Sequence, residues 1–139
     1  MEQRLSCVTL GVRDLAHARR FYVEGFGFSP AAEVEDVIFF QMPGLVFALW
    51  GGLAADLGGE ATGRGPGLAA LAYNVRNRAE IDDVCARAVA GGGRVVKAPH
   101  DTPWGGVSGY VADPDGHLWE VAFNPFWPID AAGNTRFGT

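Results

Sequence analysis

One order of elements, a strand, a helix and then three strands, occurs twice in this chain, and no other feature limits its fold as strongly. Residues 5–12 carry Val8, Leu10 and Val12 at period two, the mark of a strand with one face on a core. Asp14 offers an N-cap, Leu15, Ala18, Phe21 and Tyr22 recur at helical spacing, and Gly25 and Gly27 stop the helix. Strands are predicted over 30–34, 37–41 and 45–50, the last two joined by Pro43-Gly44. Residues 68–75 open the second round. Asn77 with Glu80 resembles a capping box, and Ile81, Val84, Cys85, Ala88 and Val89 form one apolar stripe before the Gly91-Gly92-Gly93 stop. Strands are then predicted over 94–97, 106–112 and 118–123, with Asp113-Pro114-Asp115-Gly116 as a tight connection. Val12-Arg13-Asp14-Leu15 aligns with Val75-Arg76-Asn77-Arg78, and Pro43-Gly44 with Asp115-Gly116. The chain therefore reads as an internal repeat, with modules over 4–50 and 67–124, a Gly/Ala-rich linker over 51–66 and a tail over 125–139.

Composition narrows what such a repeat can do. With 11 basic against 16 acidic residues the net charge is −5, the wrong sign for neutralising phosphates, so nucleic acid is not an expected partner. No apolar run approaches the roughly 18 residues of a membrane span, and the first ten residues have the layout of neither a secretory signal nor a transit peptide. Cys7 and Cys85 are far apart and form no paired spacing, which suits a reducing, cytoplasmic setting. His17, His100 and His117 form neither HxH nor HExxH, and the sequence contains no GxSxG elbow, GxGxxG turn or phosphate loop.

Two motifs in this order, Val8-Thr9-Leu10-Gly11-Val12-Arg13-Asp14-Leu15 running on to Phe21-Tyr22 and Gly27-Phe28, and Asp113-Pro114-Asp115-Gly116-His117-Leu118-Trp119-Glu120-Val121, resemble the vicinal oxygen chelate superfamily. That superfamily includes glyoxalases, extradiol dioxygenases, and bleomycin and fosfomycin resistance proteins. The resemblance covers nearly the whole chain and implies an α+β fold. Two tandem βαβββ modules would form curved mixed sheets around a cleft, with the helices outside. It also implies a metal position on the first and last strand of each module. These fall on Cys7, Ala48, Ala70 and Glu120. Alanine has no lone pair to give, so this set offers at most two protein donors where zinc asks for three or four, and no metal cofactor is expected. The alternative is one divalent ion held by Glu120, Cys7 and relocated ligands such as His100.

Strand alternation, anchored on those positions, assigns a lining to the cleft. Leu118 and Glu120 would share it with Ala122; Val46, Ala48 and Trp50 would face it from the first module; Leu5, Cys7 and Thr9 would line its floor; and Ala70, Ala72 and Asn74 would complete it. Trp104 and Tyr110, flanking Gly105-Gly106, would close over a ligand. Such a lining suits a flat apolar or aromatic molecule with a cationic or hydrogen-bonding end. Trp119 and Cys85 read as core, His17 as the polar side of its helix, His100 as a loop residue, and His117 as pointing away from the cleft. Glu120, a carboxylate among apolar neighbours, is the candidate catalytic residue. Three uses of it are open: contact with a sequestered small molecule, metal ligation in a glyoxalase- or dioxygenase-type enzyme, and general-base catalysis without metal. Resemblance to the family further implies a homodimer, with the tail at 126–129 as a dimer or lid contact.

Overall fold

The computed structural model describes residues 6–56 and 70–137. Leu5, Leu68 and the greater part of the linker expected over 51–66 lie outside them. Two four-stranded mixed sheets are present, each built from one module. In the first, β1 (Cys7–Gly11), β2 (Ala32–Val34), β3 (Val37–Met42) and β4 (Leu45–Trp50) lie in the order β1-β4-β3-β2. After the short helix α2 (Leu53–Asp56; α1 is described below), β5 (Leu71–Asn74), β6 (Arg94–Asp101), β7 (Val107–Ala112) and β8 (Leu118–Phe123) form the second, in the order β5-β8-β7-β6. The pair β1/β4 is parallel, as is β5/β8, and all other pairs are antiparallel. The two tandem βαβββ modules of an α+β fold are therefore present.

Local chemistry explains most element ends. The Asp14 carboxylate accepts the His17 N–H at 3.0 Å and starts α1 (Leu15–Arg19), which continues as a π-helical turn over Arg20–Gly25. Asn77 caps nothing on the backbone; its side-chain amide donates to Glu80 instead. A 3₁₀ turn (Arg78–Glu80) therefore precedes α3 (Ile81–Ala90). Val89, expected on the buried stripe, is exposed. The strand expected over 94–97 extends to Asp101 through two irregularities in its pairing with β7, so His100 is a strand residue and not a loop residue. The start of the linker is not irregular either, because α2 lies there and Leu53 packs against Gly11.

Each sheet has a helix side and an open side. Phe47 and Leu49 of β4, and Trp119 and Val121 of β8, point to the helix side and join Phe21, Tyr22, Ile81, Cys85 and Ala88 in one core that spans both modules. Tyr22 makes ring contacts with Phe47 at 5.3 Å and Trp119 at 6.0 Å, linking the two sheets through one side chain. The first helix and α3 cross where Gly25 meets Gly91. A β-carbon on Gly91 would lie 2.9 Å from the Gly25 Cα, so only glycine permits this approach. Trp119 and Cys85 are core residues, as alternation and helical spacing predict.

Buried polar groups bind the modules as firmly as the aromatic contacts do. Asp113 is fully buried, and its carboxylate accepts the Tyr22 hydroxyl at 2.8 Å, the His117 Nδ1 at 2.8 Å, and the backbone N–H groups of Asp115 and His117. The Tyr22 oxygen in turn accepts the Trp119 Nε1–H at 3.1 Å. Burial alone would raise the Asp113 pKa. The His117 hydrogen bond and charge, with the Tyr22 hydroxyl, outweigh it and hold the carboxyl below its ordinary value. Hydrogen bonding to Asp113 raises His117 against its own desolvation, and burial followed by the Asp113 charge pushes the Tyr22 phenol well up. Tyr22 is thus a neutral donor.

Candidate functional site

Register partners in a sheet share a face, so the open faces can be read row by row. On the second sheet one row runs Ala72, Glu120, Tyr110, Lys97, and the next Asn74, Ala122, Ser108, His100. Glu120 therefore stands on a central strand among small neighbours. Its Oε1 accepts the Ser108 hydroxyl at 2.7 Å, and Tyr110 is its cross-strand partner on β7. Burial, then the charge of the neighbouring Glu120, raises the Tyr110 pKa, which keeps the phenol protonated. One neutral hydroxyl orients the carboxylate without neutralising it.

Above this floor is a groove of about 350 Å³. Ala72, Asn74 and Glu120 line it together with Ala122 and Asn124, and its walls are Trp104 and Trp127. Both indoles are part-exposed, at 41% and 37%. The Trp104 ring lies over Gly106, where a β-carbon would come within 1.8 Å of it, so this glycine gives the indole its seat. Trp127 belongs to the C-terminal segment, which folds back on itself. Asp130 accepts the backbone N–H groups of Ala132 at 3.0 Å and Asn134 at 2.9 Å, Ile129 bridges Thr135, and the Trp127 and Phe137 rings are 5.2 Å apart. Those hydrogen bonds, from the Asn134 backbone first, hold the Asp130 carboxyl below its ordinary pKa. Arg76, two residues past the end of β5, donates to the carbonyls of Ile129 at 2.9 Å and Asp130 at 3.0 Å, fastening the segment beside the groove.

Of the twelve expected site residues, Ala72, Asn74, Trp104 and Glu120 line this groove, and Tyr110 is the cross-strand partner of Glu120 on the next strand. Leu118 pairs with Ala112 on the same sheet and Ala70 is exposed just before β5; neither lines the groove. Cys7, Thr9, Val46, Ala48 and Trp50 are on the open face of the first sheet, in rows such as Thr9–Ala48–Phe39, and likewise do not line it. Trp50 donates to Asp36 at 3.2 Å, and Cys7 Sγ lies 3.5 Å from Thr9 Oγ1. The physical reason for this division is the core: the modules join by burying their aromatic helix sides. Ser108 and Asn124 were not singled out by the sequence, and Trp127 entered only as part of the tail at 126–129 expected as a dimer or lid contact. Ser108 shares strand parity with Tyr110 and could have been found that way, whereas the tail aromatics gave no sign of which face they would cover.

The residues at the four implied metal positions do not fit a metal. Ala48 and Ala70 carry no donor, which leaves Cys7 and Glu120 as the two donors of the set, and Glu120 accepts the Ser108 hydroxyl. Among the described residues no three His, Cys, Asp or Glu side chains gather closely enough to share an ion. His100 does not join Glu120; its Nδ1 bonds the Ala98 carbonyl at 3.1 Å. His117 is engaged with Asp113, on the side of the hairpin facing the other module. No helix among the described residues is long and apolar enough to cross a membrane.

Comparison with known proteins agrees with this architecture. The chain is similar to a glyoxalase-related enzyme from Fulvimarina pelagi, with 46% identity and a TM-score of 0.92 over 99% of this chain and 100% of that one. A glyoxalase/bleomycin resistance protein/dioxygenase family enzyme from Burkholderia phytofirmans PsJN shares the fold at 19% identity, with a TM-score of 0.74 over 86% and 98% of the two chains. A lactoylglutathione lyase from Agrobacterium tumefaciens does so at 24% identity, with a TM-score of 0.66 over 91% and 98%. No curated protein matches the chain. The family model of the Glyoxalase/Bleomycin resistance protein/Dioxygenase superfamily matches residues 4–121, and the chain belongs to that superfamily.

Proposed function

We propose that this protein binds a small apolar or aromatic molecule in the groove above Glu120 and that its metal site is degenerate. The observation that carries this reading is the groove itself. Two part-exposed indoles face alanine floor positions, while two of the four family metal positions are alanine. Exposed indoles are costly in water and gain most from a flat apolar partner. Sequestration needs no further chemistry. Two free thiols suit a cytoplasmic setting, and a homodimer would bring the open face of the first sheet in one protomer to a second copy.

Isothermal titration against a panel of aromatic and aliphatic molecules tests binding. Saturable binding is expected in the wild type and its loss in Ala72→Trp, which fills the groove; absence of binding across the panel would refute the reading. A second reading is a divalent-metal-dependent lyase, isomerase or dioxygenase that uses Glu120 with non-standard ligands, and the 46% identity to a glyoxalase-related enzyme favours it. Elemental analysis after incubation with zinc, nickel, manganese and ferrous iron separates the two. Near-stoichiometric metal that disappears in Glu120→Ala supports the enzyme, and turnover surviving chelation supports Glu120 as a general base.

A further inference from the structure

We infer that the groove's ligand carries a protonated nitrogen, which Glu120 neutralises between the two indoles. This inference rests on the groove being a binding site for a small aromatic molecule, and it fixes the polar end of that molecule. Glu120 is the single charged side chain lining the groove. It makes no ion pair among the described residues; the nearest cation in its cross-strand row, Lys97, is two strands away, roughly 9–10 Å at ordinary strand spacing. Ser108 supplies a neutral donor only, and Tyr110, the cross-strand partner of Glu120, is a neutral phenol.

A ligand that covers Glu120 removes its remaining water. A neutral apolar ligand would leave an uncompensated carboxylate under it, and an anionic one would add repulsion. An ammonium group supplies the missing charge, and the indoles of Trp104 and Trp127 that line the groove are attractive to a cation. Asn74 also lines the groove with an amide oxygen that can accept one of its N–H groups, whereas the Asn124 Oδ1 already accepts the Phe126 N–H at 3.0 Å.

Three probes matched in length and ring, phenylbutylammonium, phenylbutanol and phenylbutyrate, test this by isothermal titration at neutral pH with a chelator present to remove divalent metal. The cation is expected to bind about tenfold more tightly than the alcohol, and the carboxylate more weakly than both. In Glu120→Gln the ratio of cation to alcohol affinity falls towards one. A wild-type ratio that shrinks with added salt supplies the same evidence without a variant. Equal binding of alcohol and cation in the wild type would overturn the inference and leave the aromatic groove standing. An unchanged ratio in Glu120→Gln would overturn it as well, and failure of all three probes would remove both.

Discussion

Tyr22 joins the modules through one oxygen, and Tyr22→Phe removes that atom while keeping the ring. The hydroxyl donates to Asp113 at 2.8 Å and accepts from Trp119 Nε1 at 3.1 Å. Without it Asp113 keeps the His117 ring and two backbone N–H groups, whereas the Trp119 N–H loses the partner it has among the described residues, inside the core. An orphaned buried donor costs about 1–3 kcal/mol, and the hydrogen bond lost to a charged acceptor adds to this, so the variant should lose about 2–4 kcal/mol in total. For a domain of this size that is roughly a 6–12 °C drop in melting temperature. Urea titration followed by circular dichroism measures it, and an unchanged slope against urea would show that the unfolded state is unaltered. The decisive comparison is a cycle with Trp119→Phe. Once the indole N–H is absent, Tyr22→Phe should cost about 1–2 kcal/mol less than in the wild type. An equal cost in both backgrounds, within about 0.5 kcal/mol, would refute the claim that the orphaned indole dominates.

Two further perturbations test the hairpin and the tail. His117 binds its proton more tightly in the folded protein than at its ordinary 6.5, so its stabilising contribution is complete below that pH and is lost as pH rises through the folded value. Asp113 has the opposite sign, contributing above its ordinary 3.8 and losing that contribution as pH falls through its depressed value. Replacing His117 by Gln should therefore flatten the alkaline limb of the stability–pH curve, measured by urea midpoints, and an unaltered limb would exclude the ion pair as its source. Arg76→Ala removes both hydrogen bonds to the tail, so amides of residues 126–136 should exchange faster with deuterium while those of β7 and β8 do not change. Tail exchange equal to wild type would show that Arg76 does not fasten it.

The repeat was legible in the sequence because it rests on local rules. Period-two strands, the Asp14 cap and the glycine stops each depend on neighbours a few residues away. Alternation also placed Trp119 in the core and put Ala72, Glu120 and Asn74 on one face, since strand parity needs only one anchored residue. At two places the reading from periodicity and capping signals gave way. Asn77 turned to Glu80 instead of capping, and β6 continued through an irregular stretch to carry His100 into the sheet.

What only the tertiary structure decided is which faces meet. The packing of the helix sides around Tyr22 separates Cys7 and Ala48 from Glu120 within one chain, and local periodicity contains no information about the pairing of modules. The same holds for the groove's second wall. Trp127 stands beside Glu120 because Arg76 holds the backbone carbonyls of Ile129 and Asp130, and a bond between a side chain and carbonyls more than 50 residues away leaves no pattern in the sequence. Local periodicity specified the two modules; the burial of aromatic and polar groups between them decided which residues share the groove.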